Sequence, residues 1–305
     1  MKKFLKKFSF FLTIIVVGIL ALELFYRFIP NNYIEKNKQI RENYDSEVVF
    51  FGNSHTFYGM NPDFFSQKAY NLSNVSQTIQ YDKLLFDKHF DSLKNLKCIT
   101  INVEYSTLSQ NDYMPELQWR KYFYESQMDL KTGMVSNFDI RKYVLCMAPR
   151  FKLTVSSIRE CFNKGSLVEC LPNGWAPKEG VNNQYNNPDT GKAIARKHED
   201  GSVDFSKNSN RLQGIITKCK ERGIKVVLVT MPVTSYYAEN VNKEKLNLIF
   251  TEANKLAQNN YNAYYINLFN DDRFNNDDFY DSDHLNTIGA KRCSEIVNGF
   301  IESMP

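Results

Sequence analysis

Two short motifs at opposite ends of this 305-residue chain contain the residue types of a hydrolytic site. Ser54 follows the apolar run 48–51 in the sequence Gly-Asn-Ser-His, and His284 lies three residues after Asp281. A serine hydroxyl becomes a good nucleophile when an imidazole takes its proton, and a carboxylate must fix the tautomer of that imidazole. Taken alone, Ser54 could equally be a turn serine or helix cap. Together the motifs predict Ser54 as nucleophile, His284 as general base and Asp281 as its orienting acid.

The remaining histidines and a second carboxylate leave alternatives open. Asp283 could replace Asp281 as the orienting acid, although the three-residue spacing favours Asp281. His55 could line the pocket beside the serine. The other two histidines are expected outside the site, His89 on the surface of an amphipathic helix and His198 in a charged, solvated stretch.

The elements that must position these residues alternate along the chain. Apolar runs predict strands at 48–51, 69–72, 98–103, 225–230 and 263–268, and amphipathic stretches predict helices at 78–93, 210–221, 243–257 and 287–301. Nearly continuous apolar strands separated by helices are typical of a parallel sheet covered on both faces. Ligands bind such sheets outside the carboxyl ends of the strands. One motif follows the first strand and the other follows the last, so both should meet at that edge.

Residues 1–30 are predicted to be a short cytoplasmic tip and a transmembrane signal anchor. Four lysines precede the uncharged apolar stretch 8–22, and continuing past Glu23 to Tyr26 approaches the roughly 20 residues that cross a bilayer. Lysines ahead of the span favour a cytoplasmic N-terminus and an extracytoplasmic remainder. A cleaved signal peptide is the main alternative, but no small-x-small cleavage site follows the run. A buried core helix is a weaker alternative, because no face is polar.

Composition excludes several classes of function. The net charge is +4, and residues 1–30 account for all of it, because the rest contains 33 basic and 33 acidic residues. A nucleic-acid interface would need clustered Lys and Arg on the folded part, so no nucleic-acid partner is expected. We expect no cofactor and no metal, since the chain has neither a P-loop nor Cys/His metal spacing. Cys161 and Cys170 could form a disulfide, or the six cysteines could serve as small buried hydrophobes.

The domain organisation follows from the same alternation. Residues 31–46 are polar and predict a linker, and 47–305 predict one catalytic domain. Within it, 105–206 breaks the alternation and is too long for a plain loop, so we expect an inserted lid or subdomain with a helix pair around 141–160. Its two tryptophans, Trp119 and Trp175, could stack on sugar rings or form the core of the insertion.

The serine and histidine motifs together resemble the SGNH (GDSL-type) hydrolase superfamily. Gly52-Asn53-Ser54 corresponds to its first block, in which Asp usually stands at the position of Asn53, and Asp281-x-x-His284 corresponds to its last. The resemblance covers about 47–104 and 207–303. It implies a flavodoxin-like three-layer sandwich with a parallel sheet, and chemistry directed at esters or acyl groups.

The two middle blocks of that family differ in this chain. The glycine of the second block, whose N–H helps to hold the oxyanion, falls on Ser76, where a backbone donor survives. The asparagine of the third block is missing from 104–107, and Ser106 lies nearest to its position. The resemblance therefore implies an oxyanion site made by the N–H groups of Ser54 and Ser76, with Ser106 as a third contributor. Loss of one such donor costs about 10²–10³ in rate.

The N-terminal anchor makes the layout similar to the D-alanyl-lipoteichoic-acid transfer (DltD-like) branch. That resemblance implies a membrane-anchored, extracytoplasmic serine esterase or O-acyltransferase acting on acyl esters of surface polysaccharides or glycolipids. A membrane-bound O-acyltransferase is the partner it suggests. The alternative is a non-catalytic SGNH-like module that binds a polymer or assembles with such an acyltransferase; the missing asparagine favours it, and the intact serine, histidine and aspartate oppose it.

Overall fold

A computed structural model describes residues 1–112 and 118–305 of the chain. Its centre is a sheet of five parallel strands in the order β2-β1-β3-β4-β5. The strands are β1 Val48–Phe51, β2 Ala69–Asn71, β3 Cys98–Asn102, β4 Lys225–Thr230 and β5 Ala263–Asn267. This is the flavodoxin-like strand order. Strand β2 lies on one side of β1, and β3, β4 and β5 follow on the other side, so the topological switch point lies between β1 and β3. The predicted α/β fold class is confirmed.

Helices surround and connect the strands. They are α1 Lys2–Phe28, α2 Asn32–Glu42, α3 Ser54–Gly59, α4 Ile79–His89, α5 Arg120–Gln127, α6 Phe151–Lys164, α7 Pro188–His198, α8 Ser206–Lys220, α9 Ser235–Ala238, α10 Lys243–Gln258 and α11 Thr287–Ser303. Short 3-10 turns occupy Pro62–Phe64, Ile140–Lys142, Leu145–Met147 and Asn276–Asp278.

The sheet is covered on both faces because its strands are apolar on both sides. On one face, Val48 and Phe50 of β1 belong to the same buried cluster as Cys293 and Val297 of α11. On the other face, Phe51 lies with its ring centroid 6.2 Å from that of Phe86 on α4. Alternate residues of one strand thus bury against opposite layers, which gives the expected three-layer sandwich.

The chain divides into two compact units. One consists of Met1–Asn37 and Pro115–Val168, and the other consists of Lys38–Met114 and Glu169–Pro305. The sheet and the predicted catalytic residues belong to the second unit. The first contains α1, which is the one helix among the described residues that is long and apolar enough to cross a membrane.

The structure decides between the two alternatives for the cysteines and corrects two local expectations. All six cysteines are free thiols and four of them are buried, so the structure has the unpaired alternative and no disulfide between Cys161 and Cys170. In place of a helix pair around 141–160 there are two 3-10 turns and the single helix α6, because Pro149 cannot lie in a helix interior. His89 is 1% exposed instead of lying on the surface, and its Nδ1 is 2.9 Å from the Tyr44 hydroxyl. Burial lowers the pKa of His89 to about 4.

Candidate active site

The turn after β1 holds Ser54 in a fixed position. Gly52 has a φ of 143°, and a Cβ there would lie 2.6 Å from side-chain atoms of its neighbours, so only glycine fits. Its N–H donates to the buried carboxylate of Asp82 at 3.0 Å. Asn53 then caps α3, because its side-chain oxygen accepts the N–H of His55 at 2.9 Å. Ser54 is therefore the first residue of α3, at the carboxyl end of β1.

The loop before α11 presents His284 from the other end of the chain. Asp281 Oδ1 accepts the backbone N–H groups of Asp283 at 3.1 Å and of His284 at 2.8 Å, which closes a tight turn. Asn286 caps α11 by accepting two of its first N–H groups, each at 3.0 Å. The motif is thus rigid at both ends, and its imidazole has a defined direction.

The structure brings the three predicted catalytic residues together. Ser54 Oγ lies 2.8 Å from His284 Nε2. On the other side of the ring, His284 Nδ1 lies 3.0 Å from each carboxylate oxygen of Asp281. With the Nδ1–H donating to Asp281, Nε2 has the lone pair that accepts the Ser54 hydroxyl proton. Asp283 is farther from Nδ1, at 3.4 Å, so Asp281 is the better placed orienting acid.

A second, fully buried set of charged groups lies behind this triad, and the sequence reasoning did not predict it. His55 Nδ1 lies 2.5 Å from Glu104 Oε2, and His55 Nε2 lies 3.1 Å from Asp283 Oδ2. These three side chains are only 3–5% exposed. The Asn53 amide also donates to Glu104, so the network reaches the residue before the nucleophile. The ring of His55 is perpendicular to that of His284, with centroids 4.9 Å apart.

The electrostatics of this network fix its charges. Burial would lower the pKa of His55, but the negative charges of Glu104 and Asp283 outweigh it and hold the pKa well above its ordinary value. Burial would raise the pKa of each carboxyl, yet the charge of His55 holds the pKa of Glu104 low, and those of His284 and His55 hold the pKa of Asp283 low. His55 is therefore a cation between two carboxylates.

The pKa of the His284 imidazole is also raised. Burial would lower the pKa of His284, but the charges of Asp283 and Asp281 outweigh burial and raise it. The positive charge of His55 acts in the opposite direction and limits the increase. A histidine with a raised pKa is a stronger base and a competent proton carrier between serine and leaving group.

His198 belongs to this neighbourhood and is not the solvated residue that the sequence suggested. Its ring centroid lies 6.4 Å from that of His55, and its Nδ1 is 3.0 Å from the Tyr237 hydroxyl. Burial lowers the pKa of His198. It therefore adds a second imidazole beside that of His55.

The three residues predicted to donate hydrogen bonds to the oxyanion, Ser54, Ser76 and Ser106, lie in three different local structures. Ser54 supplies one of the first N–H groups of α3, which have no acceptor within the helix. Ser76 has a φ of 56°, the left-handed conformation that glycine adopts most easily. Ser106 lies partly buried in the turn 105–107. It is the neighbouring Glu104, through its contact with Asn53, that reaches the serine turn.

Aromatic and basic side chains lie next to the catalytic imidazole. Tyr58 of α3 is perpendicular to His284, with ring centroids 5.3 Å apart, and its hydroxyl donates to Glu169 at 3.1 Å. The ammonium of Lys178 lies 4.3 Å above the Tyr58 ring. Trp175 is 7% exposed and donates its indole N–H to the Tyr58 carbonyl at 2.7 Å. Trp175 and Tyr58, which is also 7% exposed, are thus packing residues, and the half-buried Lys178 is the group that a substrate could touch.

The side chains of His55, Asp283 and His284 also place one ligand atom each within 4.8 Å of one another, close enough to hold a metal ion. The donor set does not favour that use. His55 Nε2 already faces a carboxylate oxygen of Asp283, and His284 Nε2 faces Ser54. A metal ion would have to displace these contacts, whereas the hydrogen-bonded triad accounts for the same geometry without one.

Two solved structures resemble the chain at low sequence identity. One, from Streptococcus pneumonia, is described as a candidate platelet activating factor; it is 11% identical with a TM-score of 0.43, and the match covers 92% of this chain and 98% of that one. The other, from Bacteroides fragilis, is described as a candidate acylhydrolase; it is 14% identical with a TM-score of 0.38, and the match covers 85% and 88% of the two chains. No protein-family model matches the sequence. No curated protein matches it significantly.

Proposed function

We propose that the chain is a membrane-anchored, extracytoplasmic serine esterase or O-acyltransferase of the SGNH type. Its substrates would be acyl esters of cell-surface glycans or glycolipids. The observation that carries the proposal is the continuous hydrogen-bond path from Ser54 Oγ through both nitrogens of His284 to the carboxylate of Asp281, with distances of 2.8 and 3.0 Å.

In the first step, Ser54 Oγ attacks the acyl carbonyl carbon while His284 Nε2 takes the hydroxyl proton. The resulting imidazolium is stabilised by Asp281, and the oxyanion accepts hydrogen bonds from the N–H groups of Ser54 and Ser76. Collapse breaks the ester C–O bond, and His284 returns the proton to the departing alcohol. The products of this step are an acyl-serine and a free hydroxyl on the glycan or lipid.

In the second step, His284 deprotonates an incoming hydroxyl, which attacks the acyl-serine. If this hydroxyl belongs to water, a free acid is released; if it belongs to a sugar or another polymer, the acyl group is transferred. The raised pKa of His284 suits both proton transfers. Hydrolysis and acyl transfer use the same residues, so the outcome depends on whether water or an acceptor hydroxyl reaches the acyl-serine.

The anchor supports the proposed location of the substrate. Helix α1 is long and apolar enough to cross a membrane and lies near the N-terminus. Lysines precede this stretch, which by the positive-inside rule supports an extracytoplasmic position of the proposed catalytic residues. An outward domain held at the membrane surface fits substrates on the cell envelope, and a membrane-bound O-acyltransferase is the partner of choice for supplying or receiving acyl groups.

One observation favours the non-catalytic alternative. The third family block supplies an asparagine donor after β3, whereas here the buried carboxylate of Glu104 stands near that position and binds Asn53 and His55. A missing donor lowers the rate of acyl transfer by about 10²–10³. An SGNH-like domain that binds a polymer, or assembles with a membrane acyltransferase, would tolerate that loss.

Reaction with a fluorophosphonate probe tests the proposal directly. The full chain in detergent is incubated with the probe beside the Ser54→Ala and His284→Ala variants. Ser66→Ala is the matched control, because the Ser66 hydroxyl donates a hydrogen bond to the Asn298 side chain and takes no part in the triad. We expect labelling of the wild type and of Ser66→Ala, and none in the other two variants.

The opposite outcome has a clear meaning. A folded wild type that stays unlabelled would contradict an activated serine and support the binding module. If labelling occurs, an acylated glycan with and without a free acceptor glycan distinguishes release of free acid from transfer of the acyl group.

A further inference from the structure

The unit that contains α1 also carries a large exposed apolar surface. Within residues 138–164, big hydrophobic side chains face outward, and Phe138, Phe151 and Phe162 are 99%, 81% and 86% exposed. We call the following set the 138–162 apolar face: Phe138, Ile140, Tyr143, Met147, Phe151, Val155 and Phe162. A soluble protein rarely exposes so many large apolar side chains within one short segment, so this segment needs an occupant.

Helix α6 shows that the exposure is patterned. Phe151, Val155 and Phe162 are spaced four and seven residues apart and form one exposed stripe. A polar stripe of Lys152, Ser156, Arg159 and Asn163 runs beside it, one residue further along the chain. Thr154, on another side of the helix, is buried. A helix with an apolar stripe beside a polar stripe that carries basic residues is typical of one that lies in the plane of a membrane surface.

Direct contacts join this segment to the C-terminal part of α1. The Cys146 N–H donates to the Glu23 carboxylate at 2.9 Å, and the Arg27 guanidinium donates to the Tyr143 carbonyl at 2.8 Å. The Tyr26 hydroxyl donates to Thr154 at 2.9 Å. These bonds also explain how a glutamate is accommodated within the apolar helix.

The contacts fix the depth of the segment along the span. The Cys146 thiol reaches the Ile19 carbonyl at 3.8 Å. At 1.5 Å per residue, Ile19 lies about 10 Å and Glu23 about 5 Å below Tyr26 along the helix axis. If Tyr26 sits at the membrane interface, as tyrosines near span ends do, the Leu145–Met147 turn lies at about the depth of interfacial helices, roughly 5–10 Å.

The charge of the segment indicates which lipids it meets. Residues 138–164 contain six basic and two acidic residues. Basic side chains beside an apolar stripe bind the phosphates of anionic headgroups while the apolar side chains enter the acyl region. If a protein covered this face, the face would not have to lie at the level of the membrane-spanning part of α1.

We propose that residues 138–164 form a second membrane contact, in which the 138–162 apolar face is immersed in the leaflet at the C-terminal end of α1. This inference rests on the membrane anchor of the proposed function. Lipid covers this face, the basic side chains of the segment bind anionic phospholipid headgroups, and α6 lies flat in the membrane interface.

Depth-dependent fluorescence quenching tests this placement in the full chain. Variants with one added tryptophan are reconstituted into vesicles of phosphatidylcholine and phosphatidylglycerol, with part of the phosphatidylcholine brominated in mid-chain. The emission of the wild type, from Trp119 and Trp175, is subtracted. We expect the Phe162→Trp emission to fall at least twofold with brominated lipid, and that of the matched Asn163→Trp variant to fall much less.

A third variant separates failure of this inference from failure of the anchor. Leu12→Trp places the probe in the middle of α1, where bromine must quench it if the helix spans the bilayer. Quenching of Leu12→Trp without any preference for Phe162→Trp over Asn163→Trp would overturn the immersed face, and would indicate that protein covers it. If Leu12→Trp is not quenched, the anchor itself is wrong and the second contact falls with it.

Discussion

Replacing His55 with glutamine removes the only cation that lies between Glu104 and Asp283 in the described part of the chain. The wild-type imidazole is within 2.5 and 3.1 Å of the two carboxylates, and all three side chains are at most 5% exposed. Glutamine keeps an amide that can donate to one carboxylate, but it supplies no charge. The perturbation therefore isolates electrostatics from the loss of side-chain volume.

The magnitude follows from burial. Removing one partner of a buried ion pair and leaving the other charge uncompensated costs about 3–5 kcal/mol. For a folding unit of roughly 150–250 residues, each kcal/mol lowers the Tm by about 2–4 °C. We expect His55→Gln to lower the Tm by about 6–20 °C. Adding Glu104→Gln in the same chain removes the uncompensated carboxylate and should restore a large part of that loss.

The assay is thermal unfolding of the wild type, His55→Gln and the double variant in one detergent. Because the folded pKa of His55 is raised, its stabilisation is fully present below the ordinary value of 6.5 and is lost as the pH rises through the folded pKa. The difference between wild type and His55→Gln should therefore shrink at alkaline pH. A difference below about 1 kcal/mol at pH 6.5, or no rescue by Glu104→Gln, would refute the buried cation.

The same substitution should move the pH profile of acyl-ester turnover. His284 must be neutral to accept the serine proton, so its pKa sets the acid limb of kcat/KM. The groups that face this imidazole are Asp281, Asp283, His55 and the Tyr58 ring. Since the charge of His55 lowers the pKa of His284, the limb should shift to higher pH in His55→Gln. If His55 had only a structural role, the substitution would lower kcat/KM without moving the acid limb of its pH profile.

Three further predictions concern single positions. Asp281→Asn should lower kcat for an acyl ester by roughly 10²–10⁴ with little change in Tm, because the amide no longer selects the Nδ1–H tautomer; a loss below tenfold would argue against the orienting role. Ser76→Gly should keep turnover within about threefold. Ser76→Val should lower the free energy of unfolding, measured in urea, by about 1–2 kcal/mol, because the residue at position 76 has a φ of 56°. Equal stability of the two variants would contradict a requirement for the left-handed conformation. Gly174→Ala should destabilise by about 1–3 kcal/mol more than Gly180→Ala, because a Cβ would meet the Asn71 carbonyl at 2.0 Å in the first and nothing within 4 Å in the second; similar Tm values for both would show that φ alone matters.

The sheet was the most predictable part of the fold. The run Val-Val-Leu-Val is buried on both faces, so no periodicity was needed to recognise Lys225–Thr230 as a strand, and its predicted bounds match. Helix ends were harder, because local hydrogen bonds outside the apolar pattern help to decide them. Helix α8 begins at Ser206 instead of 210, and its N-cap residue, Phe205, makes no side-chain cap. The Ser206 N–H donates to the Asp204 carboxylate at 3.0 Å. A helix end of this kind has only a weak signal in the sequence.

The triad geometry was predictable because both motifs follow strands of one parallel sheet. The buried network was not, since His55 and Asp283 are 228 residues apart and their pairing depends on tertiary packing. Glu104 had a usable signal, because it stands two residues after β3 at the same sheet edge as Ser54. The sequence reasoning noted only that an asparagine was missing there. Burial of His89 and His198 likewise depends on neighbouring elements that local charge does not reveal.

The separation of Ser54 from His284 has a consequence for the order in which the protein is made. The two residues are 230 positions apart, which at about 5–20 residues per second is a delay of roughly 10–50 s during synthesis. Ser54 thus emerges long before the imidazole that faces it. Throughout that interval the growing chain carries an ordinary serine. In the proposed mechanism, reactivity requires α11 and its preceding loop to dock, so a partly synthesised chain would not be trapped by an acyl donor.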